Sequence, residues 1–511
     1  MASIKEMLEQ GLAHQRAGRL REAERAYRAV LAAAPEQPDA LHLLGVLIAN
    51  AGRPDKGIPL MERAVAAAPT QGQFRTNLAN ALRKAGRLTE AVESFKDAIR
   101  IDARNAMALH GLGHAYEQMH RLKEARDATS RAIAARPGFV NAVVQLARID
   151  RREGRLAEGR ERLEVLLSSE LAPGDVCHAR MELGHILDRA GEYAAAYRQF
   201  EIGQATLAAT LRGPAADRDA YLRVIAGLRD TITGADFDAW ARRGGDARTP
   251  ADPVFLLGFP RSGTTLTESI LDAHPAVRTT DERPFLHQLI GQIGRMGLSS
   301  GYPAALRELD GDQIESLRAS YWAAAEDRLG TMSPGEVFVD KLPLNIINIA
   351  LIARVFPQSR IILALRDPRD VCLSCFMQEF EPNQAMGHFM ALETTVTFYE
   401  AVMGLWRQQA PMMGLPVHIA RYEDTVSDLE RAARPMIEFL GLPWDASVLS
   451  FHERAATRAV STPSYAAIAA PVHQGAVARW RRYEAFFEPL MATLMPAIDA
   501  FGYGEPGTDA G

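Results

Sequence analysis

The sequence predicts a multidomain protein. An N-terminal all-α solenoid of repeated helix pairs precedes a C-terminal α/β three-layer domain built on a parallel sheet. Three observations predict this. A glycine–arginine pair recurs every 34 residues through the first 155 positions. Beyond residue 252, five short apolar runs alternate with helical patterns. The first of those runs ends in a glycine-bracketed turn that opens a helix.

At 511 residues the chain exceeds what one hydrophobic core serves, so two or three domains are expected. The net charge of −5 excludes a molecule-wide basic field, so no nucleic-acid partner is expected. Cys177, Cys372 and Cys375 are too few for a disulfide framework and fit a reducing compartment. Residues Met1 to Glu6 show no apolar run behind a basic start, and no stretch of about 18 uncharged apolar residues follows. Neither a leader nor a membrane span is expected, and a cytoplasmic location is.

The recurring pairs are Gly18-Arg19, Gly52-Arg53, Gly86-Arg87, His120-Arg121 and Gly154-Arg155. Five positions after each glycine slot stands Ala23, Gly57, Ala91, Ala125 or Gly159, and four further on Tyr27, Met61, Phe95, Thr129 or Leu163. Pro35, Pro69 and Pro137 keep the same period. The glycine permits a turn, the small residue lets two helices approach, the large one fills the gap, and the proline ends the second helix. After a slip over Ser168–Asp175, Leu183-Gly184, Gly191, Ala196 and Phe200 mark a sixth unit. The pattern resembles the tetratricopeptide repeat. Such arrays form a curved groove that binds peptide or protein, or serve as a scaffold or dimerisation surface that would make a homodimer. The expected division is 1–208 for about six repeats, 209–252 for a helical linker, exposed over Arg242–Pro250, and 253–505 for the α/β domain.

In the second half, Val254–Leu257, Val277–Thr280, Val337–Val339, Ile361–Leu365 and Val417–Ala420 read as buried parallel strands. Helical patterns at Thr264–Ala273, Asn345–Phe356 and Pro368–Phe380 alternate with them. Polar clusters follow each strand: Arg261 in the turn, then Asp281-Glu282-Arg283, Asp340-Lys341, Arg366-Asp367 and Arg421-Tyr422-Glu423-Asp424. Ligands of open α/β sheets bind beyond the carboxyl ends of the strands, so these clusters converge on one crevice.

The turn itself reads Gly258-Phe259-Pro260-Arg261-Ser262-Gly263-Thr264-Thr265. Backbone N–H groups and a helix N-terminus make it an anion site. Its glycines are spaced as in the nucleotide-triphosphate loop, but Thr264 stands in the lysine slot, which disfavours a triphosphate with magnesium. Arg261, Ser262, Thr264 and Thr265 can still donate to a terminal anionic group.

Pro260-Arg261-Ser262-Gly263-Thr264-Thr265-Leu266 followed by Leu271-Asp272-Ala273-His274-Pro275 resembles the 5′-phosphosulfate loop of sulfotransferases. Arg366-Asp367-Pro368-Arg369-Asp370 with Ser374 resembles the family's 3′-phosphate motif. The variant is similar to tyrosylprotein sulfotransferases and to bacterial fusions of tetratricopeptide repeats with such a domain. The resemblance covers about residues 252–485. It implies 3′-phosphoadenosine 5′-phosphosulfate as co-substrate, with no metal. It implies Glu282 as general base, with Asp281 the nearby rival, Arg261 on the transferring group, and Lys341 on the leaving phosphate. Ser262, Gly263, Thr264 and Thr265 would take the phosphosulfate, Arg366 and Ser374 the 3′-phosphate, and Tyr422 the adenine or its ribose. The plainer reading of Lys341 is an ion pair with Asp340. Cys372 and Cys375 lie inside a helix and His274 before a proline, so packing is the expectation for all three. Two basic positions expected of the family are missing, at Ala466–Pro471 and at Gln378, and Arg479, Arg481 and Arg482 are the candidates to replace them. The acceptor implied is a tyrosine of a peptide or protein. A carbohydrate, lipid or small phenol acceptor is the alternative, and so is a non-catalytic adaptor.

Overall fold

The computed structural model describes residues 3–241, 251–280, 282–453 and 474–504. The expected linker over Arg242–Pro250, Asp281 and the alanine-rich stretch before Pro471 lie outside the described residues. Two compact units divide the chain after Glu192.

The first unit is a stack of helix pairs. They run Ile4–Arg16 with Leu20–Ala33, Pro38–Asn50 with Pro54–Ala67, Gly72–Lys84 with Leu88–Ile101, Ala106–Gln118 with Leu122–Ala135, and Val140–Arg152 with Leu156–Leu167. The expected slip falls in the break before helix Pro173–Arg189. The turns need a left-handed residue: Gly18, Gly52, Gly86 and Gly154 have φ between 72° and 81°. His120 fills the same slot at φ 58°, where a Cβ costs about 1 kcal/mol. The small/large alternation packs as anticipated. Ala23, Tyr27, Met61, Ala91, Phe95, Ala125, Thr129 and Leu163 are all buried. Each large side chain presses on a backbone that bears little: a Cβ on Gly45 would lie 2.5 Å from Met61 Cγ, and one on Gly111 2.4 Å from Phe95 Cε1.

The second unit opens with helix Tyr193–Ala208, which carries the last repeat landmarks, Ala196 and Phe200. Its partners explain that grouping. Gln204 Nε2 donates to the carbonyls of Phe376 and Gln378, each at 3.1 Å, and Tyr197 stacks on Phe486 at 3.8 Å. Helices Asp219–Thr231 and Gly234–Ala241 follow.

Five parallel strands form the sheet: β1 Val254–Gly258, β2 Val277–Thr280, β3 Val337–Lys341, β4 Arg360–Leu365 and β5 Val417–Arg421. Their order is β2-β3-β1-β4-β5. β1 pairs with β4 so that Gly258 lies beside Ala364, and β3 with β1 so that Lys341 lies beside Leu256. The chain leaves β1 toward β2 on one side and leaves β4 toward β5 on the other. The gap between the ends of β1 and β4 is therefore a topological switch point, where ligands of such sheets bind. Helix Leu392–Gln409, which the sequence pattern does not reveal, buries Phe398, Tyr399, Val402 and Trp406. The helix expected over Asn345–Phe356 starts as a 3-10 segment, Pro343–Asn348, before becoming α-helical at Ile349–Val355. Among the described residues no helix is long and apolar enough to cross a membrane.

Candidate active site

The turn after β1 is held from both sides. A Cβ on Gly258 would fall 2.7 Å from the Ala364 carbonyl oxygen and from Ser262 Oγ. At Gly263, φ is 101° and the Tyr422 ring lies 3.1 Å from where a Cβ would stand. Only glycine fits either position. Between them Arg261 adopts φ 69°, a conformation costly for a residue with a Cβ, and this strain aims its side chain across the switch point. Arg261 Nε donates to Ser374 Oγ at 3.1 Å, and the Arg261 carbonyl accepts from Arg366 at 3.4 Å. Arg366 also lies 4.7 Å over the Tyr422 ring and 3.8 Å from Asp370. The loop, the residues after β4 and the residue after β5 thus meet, as anticipated for Arg261, Gly263, Arg366, Ser374 and Tyr422. Thr264 and Thr265 open helix Thr264–Asp272 and are buried, as is Ser262.

Positive charge is concentrated here. Burial, and after it the charges of Arg366 and Arg479, hold the Arg261 guanidinium below its ordinary range. Like charges gathered in a buried place suit an anion. Ser262 Oγ is buried and has no hydrogen-bond partner among the described residues, so the loop retains an unused hydroxyl. Burial pushes the Asp370 carboxyl up to about 6, while it accepts from the Trp480 N–H at 2.8 Å. Of the three arginines named as candidates for the missing basic positions, Arg479 is the one whose charge reaches Arg261. Arg481 lies over the Trp480 ring and Arg482 over Tyr193. Gln378 turns its amide to the Glu379 carbonyl, at 3.2 Å.

A second group lies at the end of β3. Lys341 is fully buried, and its ammonium reaches Glu282 at 3.0 Å and Glu268 at 3.0 Å. Burial works to lower its pKa, but the two carboxylates more than offset this and raise it. Glu282 is 40% exposed to solvent, whereas the Glu268 side chain is only 8% exposed. The plainer reading, a Lys341–Asp340 pair, is not what forms. Neighbours in a strand point to opposite faces. Asp340 faces the aromatic side, accepts from Tyr321 Oη at 2.8 Å, and is pushed up to about 7 by burial.

Glu268 was not expected from sequence. It stands one turn after Thr264 on the helix that the anion loop opens, so the i, i+4 rule places it on the loop's own face. Through it, Lys341 is tied to that helix. The remaining candidates are engaged in packing. His274 Nδ1 accepts from the Ala276 N–H at 3.1 Å, and Nε2 lies 2.9 Å from the Pro443 carbonyl. Cys375 Sγ donates to the Pro260 carbonyl at 3.3 Å. Burial pushes both helix thiols up, away from the reactive thiolate. Among the described residues no three His, Cys, Asp or Glu side chains gather as a metal ligand set.

Residues 253–446 match the model of the sulfotransferase family. Residues 8–72 and 79–119 match tetratricopeptide-repeat models. An uncharacterized protein of Aquifex aeolicus is 31% identical over 47% of this chain, and the match spans 32% of that protein's length. Protein-tyrosine sulfotransferase 1 of Danio rerio is 27% identical, over 50% of this chain and 75% of its own. Protein-tyrosine sulfotransferase A of Caenorhabditis elegans is 26% identical, over 44% of this chain and 60% of its own. Residues 253–446 are a sulfotransferase-family domain, and residues 8–72 and 79–119 carry tetratricopeptide repeats.

Proposed function

We propose that this protein transfers a sulfuryl group from 3′-phosphoadenosine 5′-phosphosulfate to a tyrosine hydroxyl of a peptide or protein. The observation that carries the reading is the 3.0 Å contact of Lys341 with Glu282, a buried cation against an accessible carboxylate beside the anion loop. Sulfuryl transfer asks a protein for in-line positioning and for charge stabilisation on the oxygens that change. The donor brings its own leaving group.

Each residue has a task that its surroundings suit. Arg261, Ser262, Gly263, Thr264 and Thr265 hold the phosphosulfate end through backbone and side-chain donors. Arg366 and Ser374 hold the 3′-phosphate, and Tyr422 flanks the nucleoside. Lys341 donates to the oxygen that leaves with the electron pair of the broken S–O bond. Glu282 accepts the proton of the acceptor hydroxyl as its oxygen bonds to sulfur. A phenol has a pKa near 10, so this proton must be removed as the bond forms. While Glu282 is paired with Lys341 its carboxylate is a weak base. Drawing the ammonium toward the leaving oxygen frees it, and Glu268 keeps the lysine charged meanwhile. The tyrosine acceptor is supported by the relatives named protein-tyrosine sulfotransferase, and the repeats would hold part of the acceptor protein.

The test is incubation with labelled donor and a panel of tyrosine peptides, glycans and phenols. Label on tyrosine peptides alone is expected. Label on glycans or phenols alone would reassign the acceptor, and absence of donor binding by calorimetry would overturn the reading. Glu282→Ala should lower kcat by roughly a hundredfold or more while leaving donor affinity within a few-fold. Full activity in that variant would remove Glu282 from the base role.

A further inference from the structure

One buried carboxylate at the strand ends has no part in the transfer scheme. Asp370 lies on helix Pro368–Phe376, four residues after Arg366, and its side chain is fully buried. A carboxylate hidden from water is costly unless charges or donors meet it. Two donors come from far along the chain. Asp370 Oδ1 accepts from the Trp480 N–H at 2.8 Å, and the Ala478 N–H is hydrogen-bonded to the same carboxyl. Arg366 stands 3.8 Å from Oδ2, which has no hydrogen-bond partner among the described residues.

Those two N–H groups bracket Arg479. The turn that carries it is pinned at further points. The Ala476 carbonyl accepts from Arg366, and the Trp480 ring lies 3.9 Å from the Arg369 guanidinium. Arg369 is itself fixed by two bonds to Asp367, at 2.9 and 2.7 Å. Ala478 adopts φ 52°, a left-handed conformation costly for a residue with a Cβ. Such strain persists only where the surroundings over-determine it, and it gathers at working sites. Here it bends the chain around the Asp370 carboxylate and leaves Arg479 between the two bonds. Arg479 is partly exposed, and its charge acts on Arg261, as that of Arg366 does. Arg479 thus adds a third guanidinium to the two that the anion loop and the end of β4 supply.

We infer that Asp370 is a positioning residue: by holding the N–H groups on either side of Arg479, it presents that arginine to the donor's phosphates beside Arg261 and Arg366. This rests on the proposed nucleotide donor and adds a residue to its site. Three observations favour it over a role in packing alone. An apolar side chain would fill the same space at less cost, since a buried carboxylate gives up its hydration. The partners of the carboxylate are backbone N–H groups, so the bonds fix where the chain runs. The residue so fixed is a cation whose charge reaches the loop arginine. Three like charges gathered together are unfavourable until an anion enters. A rigid support then spares the arginine part of the entropy that binding would otherwise remove.

The probe is adenosine 3′,5′-bisphosphate, the donor without its sulfuryl group, titrated into the full chain and followed by calorimetry. Asp370→Ala should bind it about tenfold more weakly, because Arg479 is released. Asp370→Asn keeps an acceptor oxygen for the two N–H groups and should bind within about threefold of the parent, or more tightly. Arg479→Ala should lose about tenfold, and D370A/R479A should stay within about twofold of R479A alone. Should D370A not fold, Asp370→Leu takes its place, filling the same space without an acceptor. Either D370A or R479A binding like the parent overturns the proposal. So does a loss of about a hundredfold in the double variant, which would mean that the two residues act separately. A D370N as weak as D370A overturns it as well. No binding by the parent would remove the nucleotide donor and this role together, whereas a parent that binds beside unchanged variants removes only the role of Asp370.

Discussion

In the repeat unit, Gly45 meets Met61 and Gly111 meets Phe95, contacts of 16 residues' separation. In the second unit, Arg261 meets Ser374 across 113 residues, and Arg366 meets the Ala476 carbonyl across 110. The first arrangement writes one local solution over and over, so that among the described residues each helix pair is supported chiefly by its neighbours. The second gathers single residues from five strand ends, and no neighbour duplicates what any one of them does. Damage should therefore stay local in the repeats and spread in the α/β unit. All five tryptophans, Trp240, Trp322, Trp406, Trp444 and Trp480, belong to the second unit. Tryptophan fluorescence then follows that unit, while far-UV circular dichroism follows both.

The largest effect is expected at Lys341. Lys341→Met removes the ammonium that lies 3.0 Å from the buried Glu268 carboxylate, which costs about 3–5 kcal/mol. In urea, the fluorescence transition should move down by that amount while the repeats' share of the dichroism transition stays. Adding Glu268→Gln should restore part of the loss. A loss under about 1 kcal/mol would mean that the pair is solvated and the contrast between the units is overstated.

The next expectation concerns pH. Burial raises the folded-state pKa of Asp340 from 3.8 to about 7, so the folded unit keeps a proton that the unfolded chain gives up. That contribution is complete below about pH 4 and is lost as pH rises toward about 7, up to about 4 kcal/mol in all. Asp370, raised to about 6, acts in the same direction. Asp340→Asn should flatten the fall in the fluorescence-detected stability over that interval. An unchanged slope would assign it to other groups.

Smaller effects should appear in the repeats. Gly111→Ala places a methyl against the Phe95 ring and should cost about 1–3 kcal/mol, visible by dichroism with the fluorescence transition unmoved. A shift in both signals would break the comparison. His120→Gly should do the reverse and gain at most about 1 kcal/mol, because glycine takes φ 58° without strain. The gain is reduced by the lost contact of His120 Nδ1 with Arg152, now at 3.4 Å.

The same contrast explains what could be read from sequence. The repeat turns and the small/large pairs were legible because a period exposes them, even where His120 replaces glycine. The five strands were legible because buried parallel strands are short, apolar and β-branched, and each is followed by polar residues. Glu268 was hidden, because one acidic residue in a helix looks like any solvated position until β3 brings Lys341 beside it. Asp340 and Lys341 misled for a related reason: adjacency in sequence suggests a pair, and the pleat of the strand separates them. Helix Tyr193–Ala208 keeps the repeat landmarks Ala196 and Phe200, yet its hydrogen bonds to the Phe376 and Gln378 carbonyls join it to the other unit. Periodicity records the helix and says nothing about which neighbour it acquires.

The left-handed glycine turns have a consequence for how the protein can vary in size. Each stands at the same register, and among the described residues each pair of helices packs chiefly on the pairs beside it. A duplicated block of 34 residues, cut at two turns such as Gly52 and Gly86, would slot in as a new storey. The stack would lengthen by roughly one helix spacing, about 10 Å, and the five-stranded sheet would keep its own strand pairing. The length of the repeat stack and the arrangement at the strand ends can thus be tuned as separate variables.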